Sequence, residues 1–142
     1  MPDQTRLNDN DLISSIRPQY HFRPAPEGLL AWDVRRLVRL SRELPVRPVP
    51  LSQIAELDSV HWYGHGSVRP TVRSIVEHCQ LMLAAELAYP IILDSAGRVM
   101  DGMHRVSKAL MQGHTHINAV QFGQDPAPDH TGCDPDSLPY DD

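Results

Sequence analysis

Residues 89–122 read YPIILDSAGRVMDGMHRVSKALMQGHTHINAVQF, and their order decides the fold. Ile91-Ile92-Leu93 is an unbroken apolar run, the pattern of a strand buried on both faces. Asp94-Ser95-Ala96-Gly97 supplies turn chemistry and returns the chain as Arg98-Val99-Met100. Asp101 and Gly102 then introduce a helix over 103–112. Gly113 stands at the helix end, where a backbone free to adopt positive φ is favoured. Ile117 to Phe122 alternates and predicts a last strand. Strands interleaved with a helix over so short a stretch point to an α/β or α+β architecture, a small mixed sheet with packed helices.

Upstream, Pro70 at a first-turn position opens a helix over 71–87. Ile75, Cys79, Met82, Leu83 and Leu87 recur at helical spacing and predict its buried face. Residues 47–54, RPVPLSQI, predict a short strand running into a turn, at a sheet edge because of the prolines. Residues 30–44 carry a 3.6-residue period, with Asp33 as the N-cap and Pro45 as the stop. Residues 19–28 hold two prolines and a glycine and read as extended loop, and residues 56–69 read as a polar-aromatic loop. The organisation expected is an arm over 1–28, with Leu12, Ile13 and Ile16 docking a short helical turn, a domain over 29–123 and a tail over 124–142.

The chain has 142 residues, enough for a single domain with a real core, and a formal net charge of −5. That charge is uneven. All 13 Lys and Arg lie at or before Lys108, against 12 acidic residues there; the remaining six Asp lie beyond it. The body is therefore near neutral, and the tail reads as acidic and disordered. No apolar run reaches the roughly 18 residues of a membrane span. The N-terminus lacks the apolar stretch of a signal peptide, so the compartment expected is the cytoplasm. Cys79 and Cys133 are far apart and make neither a disulfide framework nor a zinc motif.

The candidate chemistry sits at Asp101–Lys108. First-turn N–H groups of a helix have no intrahelical acceptor, and the dipole there favours negative charge. Gly102 lets a ligand approach the backbone closely. Met103 follows within the loop. Arg105 offers a planar fork suited to phosphate oxygens, and His104 can donate to phosphate or move a proton near neutral pH. Lys108 lies one turn from His104 on the same face. Asp101 can cap the helix, orient its basic neighbours or bind Mg²⁺. The plain alternative is an N-cap at Asp101 followed by a solvated basic face.

The series from Val49-Pro50-Leu51-Ser52-Gln53-Ile54 through Tyr89–Leu93 and Gly97–Arg105 to Ala109 and Gly113 resembles the ParB/sulfiredoxin superfamily. The resemblance covers roughly residues 46–122. It implies a small α/β fold whose strand-to-helix loop binds nucleotide phosphates, in members that include the CTP-binding domain of ParB, sulfiredoxin, free-serine kinases and nucleases. Sulfiredoxin has a catalytic cysteine where Met103 stands, and a thioether cannot supply a thiolate nucleophile. ParB proper has a second arginine in place of His104, and with twenty residues after Phe122 its downstream DNA-binding region is not expected here. The kinases share Asp-Gly-x-x-Arg, matched by Asp101, Gly102 and Arg105. They use an acidic base just after the first strand, about where Glu56 and Asp58 lie. The resemblance thus implies a nucleotide (ATP, ADP or CTP) or small phosphorylated ligand, Mg²⁺, and phosphoryl transfer with His104, Glu56 or Asp58 as catalytic residues. A non-catalytic DNA-associated module and a nuclease are the alternatives.

Other residues invite weaker readings. His61, Trp62, Tyr63 and His65 crowd one loop, as pocket lining, metal ligands or aromatic anchors packed on the core. His-x₃-His without an acidic ligand is a poor zinc signature, which favours anchors. Arg69 and Arg73 could extend an anion pocket or face solvent. Arg35, Arg36, Arg39 and Arg42 could meet DNA phosphates, but no aromatic platform accompanies them.

Overall fold

The computed structural model describes residues 19–63 and 69–139. The arm over 1–18, His65 and residues 140–142 lie outside the described residues. The chain is α+β, with two sheets and, among the described residues, three α-helices. It forms two compact units, Leu44–Asp125 and a second made of the segments up to Glu43 and from Pro126. Among the described residues no helix is long and apolar enough to cross a membrane.

The two-segment unit is a three-stranded sheet and a helix. Strands β1 (Tyr20–Ala25) and β2 (Gly28–Asp33) pair antiparallel, with Ala25 opposite Gly28. Helix α1 (Val34–Leu40) follows, capped by Asp33, whose side chain accepts from the Arg35 N–H at 2.9 Å. Residues expected to be loop are therefore strand, and the helix expected from residue 30 begins at 34. Leu29-Leu30-Ala31-Trp32 satisfies either period, and the cap at Asp33 is what separates strand from helix. Pro24 is tolerated because β1 lies at the sheet edge.

The acidic tail, expected to be disordered, is ordered over its described part. Its short strand His130–Thr131 pairs with β2, the Pro126 carbonyl accepts from Trp32 Nε1 at 2.8 Å, and Asp129 accepts from the Asp33 N–H at 2.8 Å. Polar composition hides this order, because these three partners are more than 90 residues away in sequence.

The Leu44–Asp125 unit carries the predicted motif. Its strands are β3 (Arg47–Pro50), β4 (Ile91–Leu93), β5 (Val99–Asp101) and β6 (His116–Gln121), in the order β3-β6-β4-β5. Only β4 and β6 run parallel; β3 and β5 are the antiparallel edges. The edge position explains both prolines of β3. Helix α2 (Val72–Ala84) precedes β4, and α3 (Met103–Met111) follows β5. Met103, Val106 and Ala109 of α3 join Ile91, Leu93, Val99, Ile117 and Ala119 in one core cluster, closed on another side by Val49, Leu51 and Ile54.

Helix α2 departs from expectation. None of its residues is buried: Ile75, Cys79 and Leu83 are exposed, and Ser74, His78 and Met82 form its half-buried stripe. The sheet and α3 already close the core, so α2 contributes polar contacts instead. Amphipathic spacing identifies a helix but does not say which face a neighbour covers.

Candidate functional site

Strand β5 delivers Asp101 to the sheet end, and Gly102 turns the chain into α3 with φ of +118°. A Cβ at Gly102 would lie 2.6 Å from Ile91 Cγ2, so no larger residue fits the turn. The first intrahelical bond joins the Val106 N–H to the Gly102 carbonyl, and among the described residues no side chain caps the helix. The N–H groups of Met103, His104 and Arg105 therefore precede the first intrahelical bond, at the positive end of the dipole. Met103 is buried in the core cluster, so it enters the site through its backbone alone.

The basic residues divide between scaffold and site. Arg105 Nη1 donates to the carbonyls of Tyr89 (3.1 Å) and Pro90 (2.7 Å), and Nη2 donates to Asp101 Oδ2 at 2.7 Å. Three of its five donors thus tie the approach to β4 and the end of β5 to α3. Lys108 Nζ donates to the carbonyls of Leu83 (3.0 Å) and Ala85 (2.7 Å), capping the C-terminal end of α2. Lys108, expected at the ligand, thus also has a structural role. Asp101 is already ion-paired to Arg105.

His104 belongs to a different group. Its Nε2 lies 2.8 Å from Nδ1 of His78 on α2, with the rings 26° apart. The Trp62 indole stacks on both imidazoles, at 4.3 Å from His78 and 4.8 Å from His104 between centroids. Tyr63 meets His78 edge-on and shares a 3.1 Å hydrogen bond with Ser74, which anchors the 61–63 turn to α2. His61 lies edge-on to Trp62. Burial, then the His78 and His61 imidazoles and the Arg105 guanidinium, push the His104 pKa down to about 4, against the pull of the Asp101 carboxylate. Burial also lowers His78, opposed by Glu77. The pair is therefore neutral at pH 7 and shares a single hydrogen bond whose direction depends on tautomer.

This pair carries a pH dependence. A depressed histidine pKa means that the unfolded chain binds more protons between about pH 4 and 6.5, so stability falls as pH drops through that window. For the half-buried His104 the loss is on the order of 1 kcal/mol. Urea melts at pH 4.5 and 7 compare wild type with His104→Gln; equal pH losses in the two would contradict the assignment.

Among the described residues, neither of the two acidic residues expected after the first strand hydrogen-bonds to this group. Glu56 Oε2 accepts the β5 N–H of Val99 at 2.6 Å, and its buried Oε1 has no hydrogen-bond partner among the described residues. Asp58 is exposed at the end of the short 3₁₀ turn Ala55–Asp58. Of the α1 arginines, Arg35 pairs with Asp33 and Arg36 with Asp129. Arg69 and Arg73 are exposed. Among the described residues no three His, Cys, Asp or Glu side chains form a metal-holding group. Sequence reasoning passed over His78; its only trace is an aromatic polar residue at i+4 from Ser74 and i−4 from Met82, on a stripe of its own. No family model, curated protein or solved structure matches the chain.

Proposed function

We propose that this chain binds a nucleotide or other small phosphorylated ligand on the first turn of α3, with Mg²⁺-assisted, kinase-like phosphoryl transfer as the chemistry. The carrying observation is the first turn of α3, which has no side-chain cap among the described residues and carries His104. The order of elements over 46–122, which resembles ParB/sulfiredoxin domains, supports the same reading. The backbone N–H groups would cradle phosphate, His104 would donate to it, and the two uncommitted donors of Arg105 would face the same charge. Asp101 is the carboxylate available to Mg²⁺, shared with Arg105. Proton transfer falls to His104, because Glu56 holds the Val99 N–H and Asp58 hydrogen-bonds to no residue of the loop among those described.

Calorimetric titration with ATP, ADP and CTP, each with and without Mg²⁺, tests this. The expected result is saturable binding of at least one, weakened roughly tenfold by His104→Ala, the scale of one charge-assisted hydrogen bond. Heat from none of the three, or unchanged affinity in the variant, ends the reading.

A further inference from the structure

The Asp101–Arg105 motif does not contain His78, yet His78 is the residue His104 touches most directly. Two imidazoles from different helices meet at 2.8 Å, with rings 26° apart. At that small angle they form nearly one plane, and the Trp62 indole covers both at interplanar angles of 22° and 12°. A flat, covered, hydrogen-bonded pair admits only two proton arrangements. In the first, His78 Nδ1–H donates to His104 Nε2; His104 then carries its proton on Nδ1, and His78 Nε2 is bare. In the second, His104 Nε2–H donates to His78 Nδ1; His104 Nδ1 is bare, and His78 carries its proton on Nε2. Each imidazole keeps one proton in both, so net charge does not change.

We propose that His78 is the positioning partner of His104 and the outer half of a two-imidazole proton relay at the mouth of α3. The inference rests on the reading that His104 lines the ligand site. A phosphate oxygen needs a donor and selects the first arrangement. A substrate hydroxyl that must lose its proton selects the second. There His104 Nδ1 takes the hydroxyl proton as the new O–P bond forms and the bond from the terminal phosphorus of ATP to its bridging oxygen breaks, releasing ADP; Nε2–H passes its proton to His78 Nδ1, and the His78 Nε2–H proton leaves to water. The cycle returns the pair to the first arrangement with one proton delivered to solvent. One imidazole alone would retain that proton as a cation in a desolvated site. The charged and titratable neighbours are Asp101 and Arg105 on the His104 side, Glu77 on α2 and His61 on the 61–63 turn. Trp62 contributes its ring, and Tyr63 an edge-on ring whose hydroxyl is bonded to Ser74.

The test needs no ligand at first. Nitrogen-detected NMR of the imidazoles, followed from pH 4 to 8 in wild type, His78→Gln and His78→Ala, reads tautomer and titration together. In wild type, His104 should show a defined tautomer coupled to that of His78. In His78→Gln the amide can still donate, so the His104 Nδ1–H form should persist. In His78→Ala the His104 titration midpoint should rise by about one unit or more, since one like neighbour and part of the cover are gone. A midpoint and tautomer ratio in His78→Ala equal to wild type would overturn the relay. Adding ATP with Mg²⁺ should then drive wild type into the Nδ1–H form. Failure of ATP to bind while the apo pair stays coupled removes the nucleotide reading; failure of the apo coupling removes the relay, whatever ATP does.

Discussion

Gly102→Ala should destabilise the Leu44–Asp125 unit by about 3 kcal/mol. Two costs add. A non-glycine residue in left-handed conformation costs roughly 1–2 kcal/mol, and Gly102 sits at φ +118°. The new methyl would also lie 2.6 Å from Cγ2 and 2.9 Å from Cβ of Ile91. Ile91 is fully buried on the central strand β4, so it has nowhere to retreat. Overpacking of this kind adds about 1–3 kcal/mol. For a unit of this size the melting temperature should fall by more than about 10 °C. Differential scanning calorimetry measures it directly, and a loss below about 1 kcal/mol would show that the turn relaxes. The missing side chain of Gly102 thus sets how closely α3 packs on β4.

Arg105→Met should cost about as much, roughly 3 kcal/mol, for a different reason. The variant keeps an aliphatic stem but leaves Asp101 without its cation and the Tyr89 and Pro90 carbonyls without their donor. Removing one partner of a buried pair typically costs about 3–5 kcal/mol, and side chains 17% and 20% exposed place this pair at the lower end. Arg105→Lys should recover less than half, because a point charge cannot make three divergent bonds. Urea titration of Arg105→Met, Asp101→Asn and the double variant should give an interaction energy of about 1–2 kcal/mol. Additive losses would mean that the two side chains act independently. It also follows that lost nucleotide binding in an Arg105 variant does not identify a ligand contact. His104→Ala is the discriminating substitution, since His104 makes no scaffold hydrogen bond to backbone among the described residues.

The elements around Ile91–Phe122 were legible because each is locally determined. Ile91-Ile92-Leu93 has no polar face to expose, Asp94 folds its turn by accepting the Ala96 and Arg98 N–H groups, and Gly102 and Gly113 both adopt positive φ at the helix ends. The hairpin over residues 20–33 and the ordered tail were not legible. Their stability lies in distant pairs such as Trp32 with Pro126 and Asp33 with Asp129, while locally residues 19–28 and the tail read as loop and residues 30–33 as the start of a helix.

The division is sharpest at the loop itself. The sequence alone determined that a strand would deliver Asp101 and Gly102 to a helix whose first-turn N–H groups have no intrahelical acceptor, because glycine, turn chemistry and helical period act over a few residues. It could not assign the basic side chains that follow. Tertiary structure decided that Arg105 and Lys108 hold carbonyls of the segments around α2 and β4, and that His104 alone turns to a second imidazole beneath Trp62. The reason is reach. A long cationic side chain takes whichever carbonyl the fold brings within about 3 Å, and those carbonyls, 15 to 25 residues away, have no fixed place until the helices pack.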